Sequence, residues 1–219
     1  MMDNVQTGDV LVMAPTPGNE SLFQRSILLT ACCTHVEGVV RDSATELSVA
    51  VAAHPHYSLL PIRHRLQQQS SGAIVFGIYR WCEFAIEEAR HTVQYVDFQD
   101  RFMRLARRSA VMKIPYDWFA IHSHAINWIM AKLRLTGIFP AALTKHREYK
   151  LYCVEDVFQL FWFAGDIDLH DHVLTATGQR QPLPHLVHIV RLIQSKKLRP
   201  VDGGDYGLHD VMRSAWQRT

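Results

Sequence analysis

The chain has 219 residues, 48% hydrophobic and 20% charged, which suits a single domain over 1–219 able to bury a sizeable core. A net charge of +2 is too small to argue for nucleic acid as a partner, although the 13 histidines make the chain more basic below neutral pH. No apolar run reaches the roughly 20 residues of a membrane span: Ala125 to Ile138 comes nearest and is interrupted by Lys132 and Arg134. The opening MMDNVQTGDV has no basic region followed by an apolar core, so no secretory signal is expected. Cys32, Cys33, Cys82 and Cys153 are too few for a disulfide framework in a chain this long and read as free thiols. The expected location is the cytoplasm or a phage particle, with export lacking a signal peptide as the alternative.

Gly8-Asp9 introduces the apolar run Val10–Met13, which reads as a strand, and Pro15 to Gly18 makes a loop. Ser21 to Ala31 has helical apolar spacing through Leu22, Ile27 and Leu28. Thr34 to Val40 reads as a strand turned by Arg41-Asp42-Ser43. Leu47 to Ala53 is another, ended by His54-Pro55-His56, and Ala73 to Tyr79 is a third, after the polar QQQSSG. From Trp81 the texture becomes helical, predicting a helical elaboration at about 81–150 that includes Tyr116 to Leu135. Glu155 to Ala164 is a strongly apolar helix candidate, and a basic tail with Lys196, Lys197 and Arg199 precedes a Gly203-Gly204 turn. Strands first, helices after and no regular alternation predict an α+β fold.

Cys153 stands immediately before the helix candidate. A free thiol, with a pKa near 8.5, is mostly protonated at neutral pH, and a helix N-terminus or a neighbouring imidazolium stabilises its anion. The same helix start directs the Cys153 backbone N–H towards a developing oxyanion. A buried, inert thiol is the bland alternative. His35, in THVEGVV, is of interest only if the fold brings it beside Cys153.

Gly8-Asp9, Thr34-His35-Val36, Tyr79-Arg80, Pro115-Tyr116-Asp117 and Tyr152-Cys153-Val154-Glu155 follow one another in that order. The succession resembles the permuted branch of the NlpC-type papain-like amidases, whose members carry G-D, S-H-V-G, Y-R, P-Y-D and Y-C-S-E-L. The likeness spans about residues 8 to 195, including a proline-opened helix after Gly165 to Pro184. It implies a permuted papain-like fold, a small antiparallel sheet or half-barrel packed on helices. It also implies Cys153 as nucleophile, His35 as base and then acid, and a third polar residue that orients the imidazole.

For that third residue, the strand after that of His35 offers His54, with His56 one pleat further on. The family often has glutamate near there, where this chain has alanines. It also has glycine where this chain has Glu37, which shares a strand face with His35; either it contacts His35 and raises its pKa, or it is a glutamate on a twisted, solvated edge. Tyr152 and Glu155 flank the nucleophile as supporting residues, while Asp9, Tyr116 and Asp117 read as structural.

Rival constellations are weaker. Asp166, Asp168, His170, Asp171 and His172 match neither an EF-hand loop nor a helical zinc site, and His122 and His124 face different sides of a helix. Cys33 is the rival nucleophile, without a helix start. Arg101, Arg104, Arg107 and Arg108 recur at helical spacing as a solvated face, the alternative being a grip on an anionic partner. The expected activity is amide hydrolysis through an acyl-enzyme, on a peptide or isopeptide such as one derived from peptidoglycan, with no cofactor or metal. The alternatives are acyl transfer or thioester chemistry on a lipid-like substrate, with aromatic stretches such as Trp118 to Leu135 lining an acyl channel, and a non-catalytic binding or virion module that retains the fold.

Overall fold

A computed structural model of the chain describes residues 2–41, 46–53, 55–86, 92–117, 152–173 and 185–216. Six antiparallel strands, β1 (Val10–Pro15), β2 (His35–Arg41), β3 (Leu47–Val51), β4 (Ser58–Pro61), β5 (Ile74–Trp81) and β6 (Leu198–Tyr206), form one sheet in the order β4-β3-β2-β1-β5-β6. Among the described residues six helices accompany it: α1 (Leu22–Ala31), α2 (Arg63–Ser70), α3 (Val93–Met112), α4 (Cys153–Gly165), α5 (Leu186–Gln194) and α6 (Leu208–Trp216). The architecture is α+β.

The period of two along β1 divides the core. Val10, Val12 and Ala14 join the larger cluster, with Phe98 and Phe102 of α3 and Phe161 of α4. Leu11 and Met13 face a second cluster with Val49, Phe76, Ile78 and Ile62, against which Leu66 of α2 packs. Both faces are therefore covered, which is why β1 reads as an unbroken apolar run, and β3 as one interrupted only by the buried Ser48, rather than as alternating ones. α4 lies against α3 and β2, so the helix start carrying Cys153 is brought to the strand that begins with His35. Packing this close needs glycine at Gly8, whose φ is +90° and where a Cβ would lie 2.3 Å from the Phe98 ring.

Three elements escape a reading of the sequence. β4 is only four residues long, and α2 (RHRLQQQS) contains no fully buried residue, so neither carries a periodic signal. β6 contains Pro200, Gly203 and Gly204, which suggest a turn; it is an edge strand, where a missing ladder donor is tolerated, and β4 with Pro61 is the other edge. The helix-rich stretch after Trp81 starts as a 3-10 turn at Cys82–Phe84 and becomes α3 at Val93, capped by the Thr92 hydroxyl. α4 begins at Cys153 itself, two residues before its predicted start, and α6 follows β6 beyond the helix that comes after Pro184. Among the described residues no helix is long and apolar enough to cross a membrane. Trp118 to Leu135, with His122 and His124, lies outside the described residues.

Candidate active site

Cys153 is the first residue of α4, and Glu155 and Asp156 place acidic side chains in the same first turn. Tyr152 precedes it in an extended conformation and makes no side-chain cap, so the first-turn N–H groups are not taken up by the capping residue. The thiol is only 3% exposed. His35, the first residue of β2, forms a side-chain hydrogen bond with it. The imidazole retains an open edge, with its side chain 18% exposed.

The second contact of His35 comes from its own strand. Nε2 lies 3.2 Å from Oε1 of Glu37, two residues on and on the same face of β2. With Nε2 on the carboxylate, Nδ1 is the nitrogen left for the thiol. Burial by itself pushes the imidazolium down, but the charge and hydrogen bond of Cys153, joined by those of Glu37, outweigh it and hold His35 raised to about 10. These contacts favour the protonated imidazole.

Glu37 has no exposed surface. Arg65 of α2 meets it with a fork: Nε donates to Oε2 at 3.0 Å, and a terminal guanidinium nitrogen donates to Oε1. Burial pushes the Glu37 carboxyl up, while the hydrogen bonds and charges of His35 and Arg65 prevail and keep it below its ordinary value. Arg65 carried no signal in the sequence, standing just before the polar QQQSSG and 28 residues from its partner.

A second buried acid lies one turn along from the thiol. Asp156 is 2% exposed, and its Oδ2, like the Tyr57 hydroxyl, has no hydrogen-bond partner among the described residues. Desolvation raises its carboxyl well above the ordinary value, the nearby Tyr57 and His35 only partly offsetting it. Native Asp156 therefore holds a proton that the unfolded chain releases near pH 4, and this part of the stability is lost as pH rises above that point. Replacing it with asparagine, which mimics the neutral acid, is expected to change Tm little at pH 4 and to raise it increasingly towards pH 8. A Tm difference that is flat across that range would contradict a buried neutral acid.

Phenols complete the surroundings. Burial raises Tyr116 and Tyr152, and the Cys153 charge adds to both. Glu155 is buried beside them, its Oε1 accepting a hydrogen bond from Gln159 Nε2 at 3.2 Å. Cys33, the rival thiol, has no exposed surface, and burial together with the Cys153 charge disfavours its anion. His54 lies outside the described residues. His56 forms a backbone bridge with Pro115.

The acidic and histidine-rich stretch also finds its place. Asp168 caps a 3-10 turn at Leu169–His172 by accepting from the His170 backbone N–H at 3.0 Å. His170 packs edge-on against Phe158, and His172 tilts against Trp81. Among the described residues no group of three potential ligands could hold a metal ion. Arg101, Arg104, Arg107 and Arg108 are all exposed on α3.

Asp9 and Arg80, read separately from sequence, form one buried pair. Val10 pairs with Tyr79 in the β1–β5 ladder, so the next position outward sets Asp9 opposite Arg80. Arg80 Nε and its terminal nitrogen donate to the two Asp9 oxygens at 2.6 and 2.7 Å. The pair lies beyond the Val10 end of β1, whereas His35 pairs with Met13 towards its other end, so Asp9 is part of a buried ion pair as well as the residue that leads into the strand.

No family model matches the chain, and no curated protein matches it. Among solved structures it is similar to the metalloprotein yiiX from Escherichia coli O157:H7, at 15% identity and a TM-score of 0.49, over 93% of each chain.

Proposed function

We propose that the chain is a cysteine amide hydrolase with a permuted papain-like fold, in which Cys153 attacks, His35 transfers protons and Glu37 orients His35. The observation that carries this reading is the convergence of Cys153, His35 and Glu37 at the junction of α4 with β2. It is supported by the order of the sequence motifs, with the histidine early and the cysteine late.

In the reaction, the Cys153 thiol passes its proton to His35, Sγ bonds to the carbonyl carbon of the amide as the C=O π pair moves onto oxygen, and the resulting oxyanion is met by the Cys153 N–H at the helix start. His35 then gives its proton to the nitrogen as the C–N bond breaks, releasing the amine and leaving a thioester on Cys153. Water adds to that thioester, with His35 accepting its proton, and as the C–S bond breaks the carboxylic acid departs and His35 returns the proton to sulfur. Glu37 keeps Nε2 engaged throughout, so the nitrogen facing sulfur performs each transfer. The substrate class is a peptide or isopeptide, with cell-wall peptides as first choice.

The testing experiment is alkylation with iodoacetamide followed by peptide mapping. Cys153 is expected to label at neutral pH well ahead of Cys33 and Cys82, and in a reaction that slows when His35 is replaced by alanine. Labelling of Cys153 no faster than of an ordinary exposed thiol would sink the nucleophile and favour the non-catalytic module.

One observation favours a second reading. A cleft of about 200 Å³ whose lining sets Leu105, Met112, Ile114, Leu160 and Phe163 beside Arg108, Ser109 and Gln159 reaches Asp156, one turn from the thiol. An acyl chain there would make the same dyad a thioesterase or acyltransferase. Comparing a short peptide amide with a long-chain acyl ester as substrates separates the two.

A further inference from the structure

The arginine on α2 is placed in a way that simple neutralisation of a buried acid does not require. All three of its guanidinium nitrogens are engaged. Nε and one terminal nitrogen take the two Glu37 oxygens, and the other terminal nitrogen donates to Gln68 Oε1 at 2.8 Å on the same helix. The Gln68 contact fixes the rotation of the fork, and the fork fixes the plane of the carboxylate. Oε1 is the shared atom, accepting from Arg65 and lying 3.2 Å from His35 Nε2. A carboxylate held by a single point charge can turn about its own axis and swing Oε1 away from the imidazole. One held at both oxygens cannot.

Arg65 is also more enclosed than its surroundings lead one to expect. Its side chain is 12% exposed, although α2 contains no fully buried residue. A polar helix without a buried apolar stripe has little of its own to dock with. Leu66 packs on the second core cluster, and Arg65 supplies the specific polar anchor.

We propose that Arg65 is a positioning residue of the site, its guanidinium fork fixing the Glu37 carboxylate so that Glu37 holds His35 in one tautomer and one orientation towards Cys153. The proposal rests on the reading of Cys153 and His35 as nucleophile and base. Arg65 touches neither the substrate nor the reacting sulfur and acts through Glu37. The titratable groups around that carboxylate are His35 on its own strand, Arg65 on α2, Cys153 and Asp156 on α4, and Tyr57.

The sign of the effect follows from these groups. Arg65 helps keep Glu37 ionised against its burial. Without Arg65 the carboxyl takes up a proton more readily, and a neutral Glu37 no longer supports the imidazolium. His35 then titrates at lower pH.

The experiment has two arms on the full chain: the midpoint of the His35 ring titration by NMR, and the rate of iodoacetamide alkylation of Cys153 at pH 7. In Arg65→Ala the midpoint is expected to fall by at least about one unit and the rate by about tenfold. Arg65→Lys, which keeps the charge and loses the fork, should restore most of the midpoint but only part of the rate. In a Glu37→Gln background, Arg65→Ala should change either readout less than twofold.

An unmoved midpoint in a folded Arg65→Ala protein would overturn the proposal. So would complete rescue of both readouts by lysine, or an Arg65→Ala effect that persists undiminished with Glu37→Gln. If Arg65→Ala does not fold, the lysine variant alone carries the test, and it overturns the proposal by matching the wild type in rate. Should wild-type Cys153 alkylate no faster than an ordinary thiol, the nucleophile reading fails, and the NMR arm still decides whether Arg65 holds Glu37 on His35.

Discussion

A Cys153→Ala protein is expected to hydrolyse its amide substrate at least about 10⁴-fold more slowly than the wild type, and His35→Ala to fall by a similar factor. The magnitude follows from how a nucleophile–base unit works. Once either member is missing no acyl-enzyme forms, and only binding and oxyanion stabilisation remain, worth about 10³–10⁴ over water in triad enzymes. The two losses should not multiply, because the double variant removes a step already absent in each single one.

No other thiol can take over. Cys33 is nearest in character, but it has no exposed surface and its anion is disfavoured by burial. Alanine at position 153 suits the first turn of a helix, so the folded state should survive and near-native circular dichroism should accompany the loss. The measurement is kcat/KM on the best amide found in a substrate panel. A Cys153→Ala protein that keeps more than about a hundredth of wild-type activity would exclude covalent catalysis through this residue.

The sequence and the fold inform different parts of this site. Cys153 was legible because a helix start is written locally, in an apolar helical run preceded by a polar break. Glu37 was legible as a contact of His35 because residues two apart on a strand share a face, and the 3.2 Å contact realises that geometry. Whether His56 makes the same contact was not legible, since that requires knowing where each side chain ends, and His54 lies outside the described residues.

Arg65 was not legible at all. It is 28 residues from Glu37 in a segment whose glutamines and serines look like a solvated loop, and only tertiary packing brings its fork onto the carboxylate. Asp156 shows a related limit. An aspartate in the first turn of a helix normally reads as a solvated complement to the macrodipole. Here the turn is buried against α3 and β2, so desolvation raises the carboxyl of the same residue well above its ordinary value. Along the sheet, the interior strands β1, β2, β3 and β5 announced themselves by apolar runs. The two edge strands did not, because edges tolerate the proline and glycine that otherwise mark turns.

Asp9→Ala should cost about 3–5 kcal/mol of stability, the loss typical when one member of a buried pair is removed and the other stays behind uncompensated. The Asp9 carboxylate has no exposed surface and Arg80 is 3% exposed, so water cannot readily replace the missing partner. The truncation also strips an acceptor from the Gln6 backbone N–H, which bonds Asp9 Oδ2 at 2.8 Å. Arg80 would retain its 2.6 Å contact with the Asn4 carbonyl, an incomplete substitute for a carboxylate. Because Asp9 and Arg80 close one end of the β1–β5 ladder and tie down the segment before it, the damage should fall on the centre of the sheet.

For a chain of this size, 1 kcal/mol corresponds to about 2–4 °C, so calorimetry should show Tm lowered by roughly 6–20 °C. Replacing both residues with apolar ones of similar volume should recover much of the loss, since the penalty lies in the stranded charge rather than in the absent attraction. A fall of less than about 1 kcal/mol in Asp9→Ala would mean that the arginine finds solvent in the native state. The pair would then be a surface contact and not the buried lock that links the Gly8-Asp9 and Tyr79-Arg80 motifs.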